Sequence, residues 1–242
     1  MFAVRKLTAP LAAAALLLSV GPGPSPAAKE PLLDAKSVDW VKLVGPPPAP
    51  GSQKAREDLA IVLWVQRTRS RADVDRIWAA MSPGVAAFQQ AIGTMVLPTS
   101  FPGVYGTVQA GLDVATPVFS PLKSRWDRPR PPQVDEAVKP CTPTPDSGSY
   151  PSGTAVLGIV AGRLLADLIP ERKHEISERA DEIAELRVAA GVHFPSDVEA
   201  GVRLGNAIAD QILASDAWAA RREAVRPELE ALKKQLASAK SP

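Results

Sequence analysis

The sequence predicts an all-α protein built as a single-domain helical bundle. Segments with apolar residues at helical spacing recur along most of the chain. Alternating strand patterns bounded by hairpin turns are nearly absent, and aromatic residues make up only 5% of the sequence. Serine and proline also stand where helices would begin, as at Ser52, Pro151 and Pro195.

In chain order, residues 1–27 are expected to be a signal peptide rather than part of the fold. Arg5 and Lys6 precede an apolar run over 11–20, helix-breaking residues follow over 21–26, and small residues stand before a cleavage point ahead of Ala28. An uncleaved anchor is the alternative, but that run is far short of the roughly 20 residues a span needs. No cysteine follows it to carry a lipid. Residues 28–52 are proline-rich and predict an extended segment that wraps the domain, packed through Trp40, Val41 and Leu43.

The helical domain then occupies 53–242. Ser52 caps a first helix carrying Leu59, Ile61, Val62, Leu63 and Val65. Further helices are expected over 72–81, 85–92 and 104–115. The proline-studded stretch 117–151 reads as one long loop, and a loop of that length inside a compact domain is usually functional. Pro151 opens the next helix, whose apolar and small residues over 152–168 predict a central, buried element. Helices over 171–189 and 196–219 follow, the second opened by Pro195. An amphipathic tail over 222–240 carries Leu229, Leu232 and Leu236.

Composition narrows the function classes. The formal net charge of +2 with scattered Lys and Arg argues against a nucleic-acid partner. Arg163 and Asp167 interrupt the most apolar later stretch, which argues against stable membrane insertion after leader cleavage. Cys141 is the sole cysteine, so no intramolecular disulfide can form, and it reads as a structural bystander. His174 and His193 are the only histidines, and the sequence offers no convincing metal cluster or cofactor motif. His174 lies among charges and reads as a surface residue.

Three short stretches carry the chemistry. They are Lys123-Ser-Arg-Trp-Asp-Arg-Pro-Arg130-Pro131, then Tyr150-Pro-Ser152-Gly153-Thr154, then Arg187-Val-Ala-Ala-Gly-Val-His193-Phe-Pro-Ser-Asp197. Lys123, Arg130 and Arg187 supply positive charge, and the arginines can fork onto phosphate oxygens. Ser152 and Gly153 lie at a helix start, where amides and the dipole favour an anion. His193 is also near a helix start, and Asp197, one turn on, can hold one ring nitrogen and leave the other free to attack.

These stretches resemble the signature of the type-2 phosphatidic acid phosphatase superfamily, which includes bacterial class A nonspecific acid phosphatases and vanadium haloperoxidases. That signature runs Lys-x6-Arg-Pro, Pro-Ser-Gly-His and Ser-Arg-x5-His-x3-Asp. The resemblance implies a helical bundle of the acid phosphatase/vanadium haloperoxidase type, and a periplasmic or secreted enzyme acting on a small phosphorylated substrate without metal. It implies His193 as nucleophile forming a phosphohistidine, Asp197 as its orienting carboxylate, and Lys123, Arg130, Ser152, Gly153 and Arg187 as the phosphate cradle. A homodimer is compatible with it, since soluble relatives often pair.

Two positions depart from the signature. Leu186 replaces its serine and Thr154 replaces its second histidine, the proton donor to the leaving group. Threonine cannot donate that proton, and general acid catalysis is worth roughly 10²–10⁴-fold. Three outcomes stay open: a loop carboxyl (Asp127, Glu136 or Asp146) substitutes, the substrates carry good leaving groups, or the chain mainly binds phosphate. A haloperoxidase is the weakest alternative, because known members also depend on the histidine replaced by Thr154.

Overall fold

The computed structural model describes residues 31–238, which lie beyond the expected signal peptide, and every regular element among them is helical. The helices are α1 (Trp40–Val44), α2 (Gln53–Thr68), α3 (Arg71–Ala79), α4 (Gln89–Ile92), α5 (Pro102–Trp126) and α6 (Pro131–Val134). After these come α7 (Gly153–Leu168), α8 (Lys173–Ala189), α9 (Pro195–Ala214), α10 (Asp216–Ala224) and α11 (Arg226–Ser238). Short 3₁₀ turns precede α4 and α8. None of these helices is long and apolar enough to cross a membrane.

The centre is α7, packed against α5, α8 and α9. Its composition explains the place: Val156, Val160, Ala161, Leu164 and Leu165 are fully buried, and only Thr154, Leu157, Arg163 and Asp167 escape full burial. A helix apolar on nearly all sides is stable only when surrounded. Gly158 and Gly162 let α8 come close, because a methyl group at either would meet Ile183 Cγ2 at 2.9 Å or Ala180 Cβ at 2.5 Å. Ser52, Ser70, Ser152 and Ser215 cap α2, α3, α7 and α10 by accepting hydrogen bonds from first-turn amides.

Four sequence expectations are corrected. The loop expected from 117 starts only after 126, because α5 runs for 25 residues straight through Pro117 and Pro121. Both prolines are exposed, so water can serve the carbonyls they leave free, while Ala115, Val118, Phe119 and Leu122 continue the buried stripe. Pro151 does not open α7, since Ser152 is the cap and Gly153 the first helical residue. The expected helix over 196–219 ends at Ala214, where Ser215 caps α10. The proline-rich N-terminal segment contains α1, with Trp40 and Val44 buried.

Candidate active site

Lys123 lies in the last turn of α5. Asp127 then turns the chain through a left-handed conformation (φ 36°), which the short Asp side chain tolerates better than most. That turn brings Arg128 and Arg130 inward, and both are buried rather than solvated on a loop. Gly148 permits the 147–149 strand of loop to lie against the turn, since a Cβ there would be 3.1 Å from Lys123 O and Asp127 Cα. Lys123 Nζ donates to Gly148 O at 2.9 Å. Arg130 donates to Ser147 O at 2.9 Å and to Val192 O at 2.8 Å. Arg187 comes from the last turn of α8, and His193 and Asp197 flank the start of α9.

The structure thus brings Lys123, Arg130, Arg187, His193 and Asp197 together. His193 is 2% exposed and Asp197 fully buried. His193 Nδ1 lies 3.4 Å from Asp197 Oδ2, an approach that falls short of a full hydrogen bond. On the other side, Arg130 Nη1 is 3.2 Å from His193 Nε2. Arginine can only donate, so Nε2 is the acceptor and Nδ1 carries the proton toward Asp197.

The charges perturb one another. Burial, with the charges of Arg130 and Lys123, pushes the His193 pKa down to about 3 against the pull of Asp197. The imidazole is therefore neutral at ordinary pH. Burial also lowers Lys123 to about 8, aided by Arg130 and Arg187 and opposed by Asp197. It lowers Arg130 to about 10, opposed by Asp197 and aided by Arg187. Burial raises the Asp197 carboxyl, but His193, Arg128 and the Phe194 amide outweigh it and hold the group ionised. Arg187 is 4% exposed, its pKa lowered by burial, and it makes no hydrogen bond or ion pair among the described residues. A buried cation without a partner is costly unless an anion arrives to meet it.

The helix-start expectation for α7 holds only in part. Ser152 N is already donated to Asp197 O at 2.9 Å, and its Oγ accepts from Ala155 N at 3.4 Å. The amides of Gly153 and Thr154 have no such partner among the described residues, so they are donors left for an anion. A Cβ on Gly153 would stand 2.7 Å from Phe119, so this start is packed too tightly for any larger residue. Thr154 is half-buried and its hydroxyl makes no hydrogen bond among the described residues.

Asp127, Glu136 and Asp146 are exposed, and among the described residues their carboxylates make no hydrogen bond to the cradle residues. Asp127 serves the turn instead. Trp126 packs edge-on against Tyr150, with ring centres 5.2 Å apart. His174 is a surface residue, 81% exposed and 3.4 Å from Glu178. Arg128, Asp58 and Ser196 form a second layer behind Asp197 that was not expected. For Arg128 the only sequence signal was its place inside the first stretch; for Asp58 there was none.

Two buried arginines, the half-buried Lys123 and a neutral histidine, brought together in one helical bundle, form an arrangement that can hold an oxyanion. Residues 105–218 match the model of the PAP2 superfamily. It is 41% identical over 59 residues to a non-specific acid phosphatase of Salmonella typhimurium, covering 24% of each chain. It is 37% identical over 84 residues to an acid phosphatase of Zymomonas mobilis, covering 33% of this chain and 31% of that one. The matches therefore span about a quarter to a third of these relatives. Among solved structures, a bacterial vanadium-dependent iodoperoxidase aligns with a TM-score of 0.57 at 19% identity, over 73% of this chain and 53% of that one. A transmembrane PAP2-type phosphatidylglycerolphosphate phosphatase from Bacillus subtilis aligns with a TM-score of 0.52 at 19% identity, over 72% and 90%. At that identity the two share the fold.

Proposed function

We propose that this chain is an exported phosphatase that hydrolyses phosphate monoesters or anhydrides through a phosphohistidine, without a metal. The observation that carries the proposal is Arg187, buried and without a partner among the described residues, beside Lys123, Arg130 and a neutral His193. Phosphoryl transfer asks chiefly for positioning and stabilisation of charge on the equatorial oxygens. The three cations and the Gly153 and Thr154 amides supply both. The relatives named acid phosphatases support the same chemistry, and the leader composition supports export.

In the proposed reaction, a phosphate oxygen first takes Arg130 Nη1 away from His193 Nε2. The freed lone pair of Nε2 attacks phosphorus, and the bond to the leaving oxygen breaks with its electron pair on that oxygen. The Nδ1 proton stays on the ring, where Asp197 balances the new positive charge. Water then attacks the phosphohistidine, the phosphorus–nitrogen bond breaks with its pair returning to Nε2, and one of the water's protons passes to a phosphate oxygen to leave dihydrogen phosphate.

A second reading rests on Thr154. With no acid at that position, the cradle would hold phosphate and turn it over slowly or not at all. One experiment separates the two: phosphate release with EDTA present, from an alkyl phosphate, p-nitrophenyl phosphate and pyrophosphate, beside His193→Ala and Thr154→His. The expected outcome is EDTA-resistant turnover of the last two substrates, lost in His193→Ala. Thr154→His is expected to raise alkyl phosphate hydrolysis by about 10²-fold, the low end for a general acid. No turnover above His193→Ala on any substrate would sink the enzyme and leave an anion-binding protein.

A further inference from the structure

A line of alternating charges runs from solvent to the nucleophile. Lys54 on α2, with its side chain 45% exposed, places Nζ 3.4 Å from Oδ1 of the fully buried Asp58. Asp58 Oδ2 accepts from Arg128 Nη2 at 3.1 Å and from the Ser196 hydroxyl. Arg128 Nη1 donates to Asp197 Oδ1 at 2.6 Å and to Ser196 Oγ at 2.7 Å. The Arg128 guanidinium also lies 4.2 Å above the Phe194 ring. Asp197 Oδ2 accepts from Phe194 N at 2.8 Å and faces His193 Nδ1.

We propose that Arg128, held in place by Asp58, is a positioning residue for the nucleophile. It rests on His193 being the reacting group proposed above. Asp197 and His193 approach at 3.4 Å without a full hydrogen bond, so the ring does not fix the carboxylate by itself. Arg128 holds Oδ1 and the Phe194 amide holds Oδ2, and together they stop the carboxylate from swinging. With Oδ2 fixed toward Nδ1, the proton stays on Nδ1 and the Nε2 lone pair points to the cradle. The two buried carboxylates would repel each other without a cation between them. A planar guanidinium satisfies both, one through each terminal nitrogen, whereas an ammonium presents a single point.

The test uses the full chain with Arg128→Lys, and with Asp58→Asn/Arg128→Met, which removes one charge of each sign so that Asp58 is not left buried alone. Two measurements are made. On p-nitrophenyl phosphate, both variants are expected to lose about 10- to 100-fold in kcat with KM changed less than about twofold, because misplacement of a reacting group costs on that order. In an Asp197→Asn background the Arg128→Lys loss should shrink below about twofold, since it acts through that carboxylate. Independently, nitrogen NMR of the imidazoles should show His193 as a single Nδ1–H tautomer in the native chain and as a mixture in Arg128→Lys, with exposed His174 as the reference.

An unchanged His193 tautomer in the variant overturns the proposal, and so does a full additive loss in the Asp197→Asn background. The tautomer is read without turnover. Mixing in the variant of a chain that hydrolyses nothing would therefore uphold the positioning role while the phosphatase proposal fell.

Discussion

Burial and neighbouring positive charge both oppose a proton on His193, so its lone pair survives well into acid, down to about pH 3. The same surroundings bring Lys123 down to about 8. Lys123 is charged below that value and neutral above it, so its attraction for an anion is present at neutral pH and lost as pH rises through about 8. Affinity for inorganic phosphate, measured by calorimetry, should fall over that range. In Lys123→Arg the fall should move to higher pH, because a guanidinium keeps its proton. An unmoved limb would assign the titration to another group. At Thr154, where the superfamily signature has an acid, the half-buried hydroxyl makes no hydrogen bond among the described residues.

At the scale of elements, close approach of α9 to the start of α7 sets the site. A Cβ on Gly201 would lie 2.6 Å from Ser152 O and 2.9 Å from Ala155 Cβ, and the first of these is backbone that cannot turn aside. Gly201→Ala should therefore destabilise the protein by about 1–3 kcal/mol, read from urea unfolding. It should also lower turnover, since the Ser152 N to Asp197 O bond spans the same contact. Gly106→Ala is the control: the residue is exposed within α5 with nothing within 4 Å of a Cβ, so about 0.5–1 kcal/mol of stabilisation is expected. Equal effects at both glycines would remove the packing explanation.

Across the whole molecule, remote segments close the ends of the site-bearing helices. The start of α5 has no side-chain cap of its own. Glu228 of α11 supplies one, accepting from Gly103 N at 2.9 Å and Val104 N at 3.0 Å. A carboxylate there satisfies two orphan amides and meets the positive end of the helix. Glu228→Ala should cost about 1–3 kcal/mol in thermal or urea unfolding, the range for stranding such donors. A change within error would mean that α11 only covers the apolar surface. At the other end of the chain, Tyr150 OH donates to Val44 O and Gly45 O at 3.2 and 3.1 Å, and Arg203 donates to Val44 O at 2.9 Å. These bonds hold the N-terminal segment on α9 and on the turn before α7.

The sequence by itself determined the helical class and the central place of α7, and its resemblance to the superfamily signature singled out Lys123, Arg130, Arg187, His193 and Asp197, which the structure brings close together. It could do the first two because apolar periodicity is a local property, written within a few turns of one helix. The tertiary structure alone decided that α5 continues through Pro117 and Pro121, because the cost of a proline depends on whether its freed carbonyl meets water. It alone decided that the Ser152 amide is spent on Asp197 and that Arg187 has no partner among the described residues. Asp58 was out of reach for the same reason. It sits 70 residues before Arg128 and 138 before Ser196, and only the packing of α2 against α9 brings the three together.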